Sequence, residues 1–560
     1  MQKAPDAPGR RVVIVGGVAG GMSAATRLRR LDEEVEIVVF ERGEYVSFAN
    51  CGLPYYVGGV IREREDLLLQ TAEGLAARFR IDVRTSSVVT SIDCSSRTVS
   101  VLDETTGRRY SEPFDSLILA VGATSGASLP GEGVPVRTLR TVDDVDAIDA
   151  LLDITPTGAR AVVVGGGFIG LEAVENLFRR GVNVTLVQRG DRPLSPLDPE
   201  MAAPVIEALE LHEVDLRLNT TVTRICAGRV ELSDGDAVEA DMVIDARGVR
   251  PDAALAMDAG LAIGPTGGIA VDAFQRTSDP FIYAVGDAAE KVDAVDGAAS
   301  LVTMAGLANR HGRAAADAIC GIGRPSRPAL GTAVVGLFDL TIAMVGWSEH
   351  RLRAAGRPHR VVHTHPASHA TYYPGAETMA MKLLIDPASD EILGAQIVGG
   401  AGVDKRIDVL ATAMAAGLEA SALAELELAY APQYGSAKDP VNLAGYVAGN
   451  LVSGTTRSIQ WHELEDARTA GALLVDVRSR GEHAAGSIPG AVNLPLDELR
   501  ARAHELPEGR IIVHCQVGQR GHTAARLLSQ LGRDVVNLDG GYATWIAGTR
   551  TVRAPQMSAA

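Results

Sequence analysis

Two of the five cysteines stand where a thiol could do chemistry. Cys51 lies in SFANCGLPYY, residues 47–56, and Cys515 opens CQVGQR, residues 515–520. Pro54 suits the first turn of a helix that begins just after Cys51. A thiol at a helix N-terminus is drawn toward thiolate. A single thiol cannot close an internal disulfide, but it can form a mixed disulfide or a persulfide with a substrate. Cys515 follows the apolar run IIVH and precedes a helical stretch. A tight loop in that place turns several backbone N–H groups inward as a nest for an anion. Cys94, Cys226 and Cys320 carry no motif, and no Cys or His spacing suits a metal, so no metal site is expected.

Two glycine-rich turns supply the second kind of chemistry. The first holds Gly16, Gly17, Gly20 and Gly21, with Val18 where a G-x-G-x-x-G pattern requires glycine. Small residues (Ala19, Gly20, Gly21) still let the backbone approach a pyrophosphate at a helix N-terminus. Glu41, twenty residues past Gly21 at the end of the next strand, can hold a pair of ribose hydroxyls. The second turn is unbroken: Gly165, Gly167 and Gly170, with Phe168 and Ile169 between. Its following strand ends at Gln188 and Arg189 in place of the acid usual for NAD, which removes repulsion toward a 2′-phosphate. Two turns predict two dinucleotides.

Elements of α/β type must position these residues. RVVIVG, a helix through Leu31 and the strand Val35 to Phe40 form one β-α-β unit, and AVVVGGGFIG through VNVTLVQR a second. Short strands are expected at 117–123, 242–251 and 281–290. From about Pro328 the texture becomes α+β, with four strands between Ala333 and Val398 and a helical segment from about Val403 to Leu428. NLVSGTTRS reads as a linker, and a compact α/β segment follows to about Gly548.

The 560 residues suggest about four domains. A net charge of −17 argues against nucleic acid as a partner. No apolar run is long enough to cross a bilayer, and MQKAPDAPGR reads as a short tail without a signal peptide's apolar stretch. The expectation is a cytoplasmic protein.

Over about residues 10–450 the chain resembles the two-dinucleotide flavoprotein disulfide reductases, with SFANCGLPYY similar to the active-site segment of coenzyme A disulfide reductases and NAD(P)H-dependent persulfide reductases. Residues 459–548 resemble a rhodanese domain, through LLVDVRSRGEHAAGSIPGAVNLP and IIVHCQVGQRGHTAARLL. The resemblance implies FAD at the first turn, with Gly16, Val18, Ala19, Gly20, Gly21, Glu41, Arg42, Asn50, Gly122, Gly286 and Asp287 binding it. NADH, with NADPH also accepted, would bind at Gly165, Gly167, Phe168, Ile169, Gly170 and Gln188. Tyr56 fills the place of the second cysteine found in many of these reductases. Ala19 stands where related peroxidases and oxidases carry a histidine. Arg27 and Arg30, on one face of the first helix, join Ser47 and Asn50 as candidates for CoA. Tyr372 or Tyr373, and Tyr430 or Tyr434, match hydroxyls that reach the thiol from a partner subunit; Tyr373 and Tyr434 are the expected pair. Cys515 would carry persulfide sulfur, aided by Arg520, with Asp476 and Arg478 bracing the loop.

The fold expected is α/β, with two Rossmann-like domains, an α+β dimerisation domain and an α/β rhodanese. Residues 1–122 and 252–327 would form the FAD domain and 123–251 the NAD(P)H domain. The dimerisation domain would span 328–450, the linker 451–458, the rhodanese 459–548 and a tail 549–560. The expected activity is reduction of CoA persulfide, polysulfide or CoA disulfide by a homodimer. The alternatives are an NADH oxidase reducing oxygen at the flavin, and a sulfur-trafficking or redox-sensing flavoprotein.

Overall fold

The computed structural model describes residues 10–154 and 158–557, so the tail expected at the N-terminus lies, apart from Arg10, outside the described residues. The chain packs as two compact units. Among the described residues, one comprises 10–154, 158–165, 176–184 and 222–329, the other 166–175, 185–221 and 330–557.

At the centre of the first unit is Arg11–Val15, whose Val12, Val13 and Ile14 are fully buried. A strand apolar on both sides belongs inside a parallel sheet covered on both faces. The sheet order is Ile282–Ala284, Ser116–Leu119, Arg11–Val15, Glu36–Phe40 and Ile81–Arg84, all parallel. The helix Ala19–Leu31 buries Ala24, Ala25 and Leu28 against it. The helix Ala305–Ile319 crosses that helix closely: a Cβ on Gly312 would sit 2.1 Å from the carbonyl oxygen of Gly20. The same unit pairs Arg160–Val164 with Met242–Asp245 in parallel, at the second glycine turn.

In the second unit a five-stranded antiparallel sheet runs Ala333–Leu337, Leu340–Gly346, Ile392–Gly399, Met379–Ile385 and Arg360–Thr364. Helices Val403–Ala416 and Pro440–Val452 close its core. The expected helix from 403 to 428 is therefore shorter. Gly417 adopts φ +70° and stops it, and a 3-10 turn, Ser421–Glu425, follows. The C-terminal segment is a parallel sheet in the order Ser458–Ile459, Val535–Leu538, Ile511–His514, Leu473–Asp476 and Val492–Asn493. Residues 549–557, expected as tail, continue the helix Gly541–Met557, and Arg550 pairs with Glu207 and Glu210 of the helix Pro199–Leu211.

One buried cluster ties this unit together. Lys382, with no exposed surface, points its ammonium at Asp198 (2.9 Å), Glu200 (2.5 Å) and Glu349 (2.6 Å). The three carboxylates have the spacing of a cation site, and the cation among them is the lysine. Burial opposes the charge on Glu200 and Glu349. Lys382, with His363 beside Glu200 and His359 beside Glu349, outweighs it and holds both below the ordinary carboxylate range.

Lys382→Met leaves these carboxylates uncompensated and should cost about 3–5 kcal/mol. All three tryptophans, Trp347, Trp461 and Trp545, lie in this unit, so its urea midpoint can be followed by tryptophan fluorescence. The wild-type advantage is present above about pH 4.5, the ordinary glutamate value, and shrinks as acid protonates the cluster. Equal midpoints at pH 7 would remove the cluster from the stability of the unit.

Candidate functional site

The first glycine turn is shaped by close backbone approach. Gly16 has φ +106°, and a Cβ there would lie 2.2 Å from the carbonyl oxygen of Ala120. A Cβ on Gly21 would lie 1.9 Å from that of Gly16. Val18 precedes the thirteen-residue helix Ala19–Leu31 without a side-chain cap, which leaves first-turn N–H groups for a phosphate. Glu41 accepts from Gly17 N–H (2.7 Å) with one oxygen and from Gly43 N–H (2.8 Å) with the other. It therefore sets the turn's shape and retains lone pairs toward a ribose. This cradle fits a dinucleotide.

The segment bearing Cys51 is laced to the same turn. Ser47, at φ +50°, donates its N–H to Gly17 O (2.8 Å). Asn50 and Cys51 are exposed in the 3-10 turn Asn50–Gly52, which leads into Leu53–Val57 with Pro54 in its first turn. The expected helix is only five residues long, so it adds little dipole to the thiol. Asp287 follows its strand in the 3-10 turn Gly286–Ala288. Burial pushes its carboxyl up, opposed by Lys291 and Arg140. Lys291, lowered by burial to about 8, donates to Gly286 O (2.6 Å) and Ala289 O (2.8 Å). Sequence reasoning did not single out Lys291. Gly122, at φ +75°, faces open space, and Arg42 pairs with Asp252 at 3.3 Å. Arg27 and Arg30 differ in setting: Arg27 is held by Asp317 at 2.6 Å, whereas Arg30 is exposed.

At the second turn Gly165 has φ +107°, and a Cβ there would lie 2.5 Å from Ala246 O. Gly167 faces open space, which leaves room for a phosphate. Phe168 starts a helix with Ile169, and Gly170 is buried behind them. Gln188 does not stand free at the strand end. Its Oε1 accepts from Gly166 N–H (3.0 Å), and its Nε2 donates to Arg192 O (3.1 Å) and Ser195 Oγ (3.2 Å). Arg189 is exposed.

The four tyrosines occupy two loops that one guanidinium binds together. Buried Arg406 donates to Ser368 O (2.9 Å) and to Asp439 Oδ2 (2.9 Å), and Ala370 N–H reaches Gly435 O (3.0 Å). The hydroxyls of Tyr372 and Tyr430 meet at 2.7 Å. Tyr373 packs edge-on against His369, and Tyr434 is 70% exposed. The geometry thus joins one member of each pair, but the members are Tyr372 and Tyr430.

Cys515 is buried in a turn between Ile511–His514 and the helix Gln519–Gln530, which begins after Gly518 at φ +90°. Asp476 binds Arg478 (2.7 Å) and His483 (2.9 Å), and Arg478 reaches Gln516 Oε1 (3.0 Å). Arg520 faces Cys515 and pairs with Glu482 at 2.6 Å, which holds that carboxyl at about 2. Glu482, the acid of a capping box begun by Ser479, was not read from the sequence.

A pyridine nucleotide-disulphide oxidoreductase family model matches residues 10–305, the dimerisation-domain model of that family 332–439, and a rhodanese-like model 460–548. A coenzyme A disulfide reductase of Staphylococcus aureus is 36% identical over 440 residues, 78% of this chain and 99% of the relative. The crystal structure of reduced Bacillus anthracis CoADR-RHD superposes with a TM-score of 0.95 at 46% identity, covering 97% of this chain and 98% of that one. An NAD-dependent persulfide reductase from A. fulgidus gives 0.89 at 36%, covering 96% and 100%.

Gly21→Ala forces a Cβ into the Gly16 carbonyl and should close the first turn. The purified variant is expected to lack the visible flavin absorbance of the wild type while its far-ultraviolet circular dichroism is unchanged. Full flavin content would show that this turn is not the cradle.

Proposed function

The chain belongs to the pyridine nucleotide-disulphide oxidoreductase family, and on that premise we propose that it is an NAD(P)H- and FAD-dependent reductase of CoA persulfide, polysulfide and CoA disulfide. The observation that carries this reading is the union, on one chain, of a single-thiol segment bound to a glycine turn with a rhodanese turn holding Cys515. FAD at Gly16–Gly21 and Glu41 would relay two electrons from NAD(P)H to sulfur.

Cys51 thiolate attacks one sulfur of the substrate. With CoA persulfide, attack on the inner sulfur forms a Cys51–CoA disulfide and releases hydrosulfide. Attack on the outer sulfur forms a Cys51 persulfide and releases CoA thiolate. Two electrons and two protons then return the cysteine to thiol and free the second product. The sum is CoA persulfide, NAD(P)H and a proton giving CoA thiol, hydrogen sulfide and NAD(P)+. CoA disulfide gives two CoA thiols by the same route.

Tyr372 and Tyr430 replace Tyr373 and Tyr434 as the proposed proton donors to the leaving thiolate. Their paired hydroxyls, exposed on the dimerisation domain, are available to Cys51 of a second subunit in a homodimer. Exposed Arg30, with Ser47 and Asn50, would meet CoA, since Arg27 is engaged by Asp317. Gln188 shapes its turn rather than meeting a ribose, so exposed Arg189 is what a 2′-phosphate would meet, which supports use of NADPH beside NADH. Cys515 would carry sulfane sulfur, with Arg520 beside it.

Anaerobic NADH oxidation, with CoA persulfide and CoA disulfide offered separately, tests the reading. Turnover of either should vanish in Cys51→Ser, and Tyr430→Phe should slow it on the order of a hundredfold. If the persulfide is the faster substrate, the rhodanese serves the main reaction; if the disulfide is, the rhodanese is accessory. If neither reacts without oxygen, the thiol route is wrong and oxygen is the acceptor.

A further inference from the structure

Two carbonyl groups set the direction of the Cys515 turn. Cys515 O accepts from Tyr542 N–H (2.8 Å), and Gln516 O accepts from Ala543 N–H (2.9 Å). A trans peptide points its N–H opposite to its C=O. Holding these carbonyls on one side therefore aims the N–H groups of Gln516 and Val517 to the other. The holder is the first turn of the helix Gly541–Met557, which approaches too closely for a side chain: a Cβ on Gly541 would lie 2.5 Å from Cys515 O.

That turn pivots on Gly540 and Gly541, at φ +63° and +64°. Consecutive left-handed glycines are conformationally loose, so the turn needs anchors on either side. Each anchor is held by a histidine from outside the rhodanese segment, His363 on one side and His365 on the other. Before the pivot, Asp539 Oδ2 accepts from His363 N–H (2.8 Å), from His363 Nδ1 (2.8 Å) and from Gln460 Nε2 (3.3 Å). After it, Thr544 Oγ1 bonds His365 Nε2 at 2.8 Å. His363 is itself fixed, because its Nε2 bonds Glu200 at 3.0 Å. Burial disfavours its charge, but Asp539 and Glu200 raise it to about 9, so both ring nitrogens donate at neutral pH.

We propose that Asp539, held by His363 of the dimerisation domain, is a positioning residue for sulfur transfer at Cys515. The rhodanese turn is thus set by the reductase part of the chain and not by its own domain alone. The inference rests on the reading of Cys515 as a sulfur carrier.

The test uses the full-length flavoprotein in a Cys51→Ser background, so that sulfur loads at Cys515. Polysulfide is the donor: Cys515 thiolate attacks its terminal sulfane sulfur, that S–S bond breaks, and a polysulfide one sulfur shorter leaves as the anion, so the Cys515 persulfide forms without any oxidant and is followed by intact-protein mass. Asp539→Ala and His363→Gln should each slow loading on the order of tenfold, in the limiting rate and not in the donor concentration for half-saturation. The double variant should be no slower than the worse single one, because both remove the same anchor. With Cys51 restored, CoA disulfide turnover should equal that of the wild type. Wild-type loading rates in both singles, or effects that multiply in the double, would overturn the proposal. Should Asp539→Ala fail to fold, Thr544→Val removes the other anchor, and unchanged loading there overturns it equally. If Cys515 with its native turn never loads, the carrier reading itself falls and takes this inference with it.

Discussion

The second unit depends on one ammonium that has nowhere else to go. Lys382 is wholly buried, and an unpaired charge there would cost several kcal/mol. Its three carboxylates come from different parts of the unit: Asp198 and Glu200 at the start of the helix Pro199–Leu211, and Glu349 at the start of Glu349–Ala354. Asp198 also accepts the N–H groups of Glu349 and His350. Glu200 passes the constraint to His363, and His363 passes it to Asp539. A carboxylate that serves a lysine and a histidine together cannot move without exposing one of them. The strand Arg360–Thr364 therefore holds a fixed place against the chain that follows Val535–Leu538.

The two glycine turns show one device used with different chemistry. In each, the residue at the end of the next strand accepts an N–H from the turn: Glu41 from Gly17, Gln188 from Gly166. A neutral amide suffices to hold the turn, which is why the missing acid at position 188 does not disorder it. What changes is the charge offered to a nucleotide. Glu41 keeps a carboxylate where a ribose pair would sit, while Gln188 spends its amide oxygen on Gly166 N–H and its amide nitrogen on Arg192 O and Ser195 Oγ. Glutamine keeps the turn's hydrogen bond without the charge.

Local patterns carried much of this architecture, because parallel strands and glycine turns are written in short runs. Both β-α-β units, four of the five antiparallel strands and the Cys515 turn followed from such runs. The misses depend on distant partners. Arg360–Thr364 reads as a mixed RVVHT, and its histidine is buried only because Glu200 and Asp539 meet it. The helix Pro440–Val452, which the linker expected from 451 overlaps at its end, is capped by Asp439, and Arg406 secures the cap. Within the tyrosine pairs, no spacing could show that Tyr372 faces Tyr430, since Arg406 joins loops some sixty residues apart. Arg27 and Arg30 looked alike on one helix face until Asp317, from another helix, claimed one of them.

Charge around Cys515 is already balanced before any substrate arrives. Arg478 is neutralised by Asp476, and Arg520 by Glu482. His514, lowered by burial to about 4, is neutral at physiological pH. A sulfur anion in this turn would meet Arg520 with its charge already shared with Glu482, so the backbone N–H groups would carry a large part of its stabilisation. Such dipoles act only when aimed, and their strength falls steeply with angle. This makes the direction of the turn's peptides the quantity that matters, and that direction is set by two carbonyls gripped from the helix at Gly541. A site built on fixed cations could tolerate a loose turn; one built on oriented amides cannot, and the anchors on both sides of the Gly540–Gly541 pivot are the physical consequence.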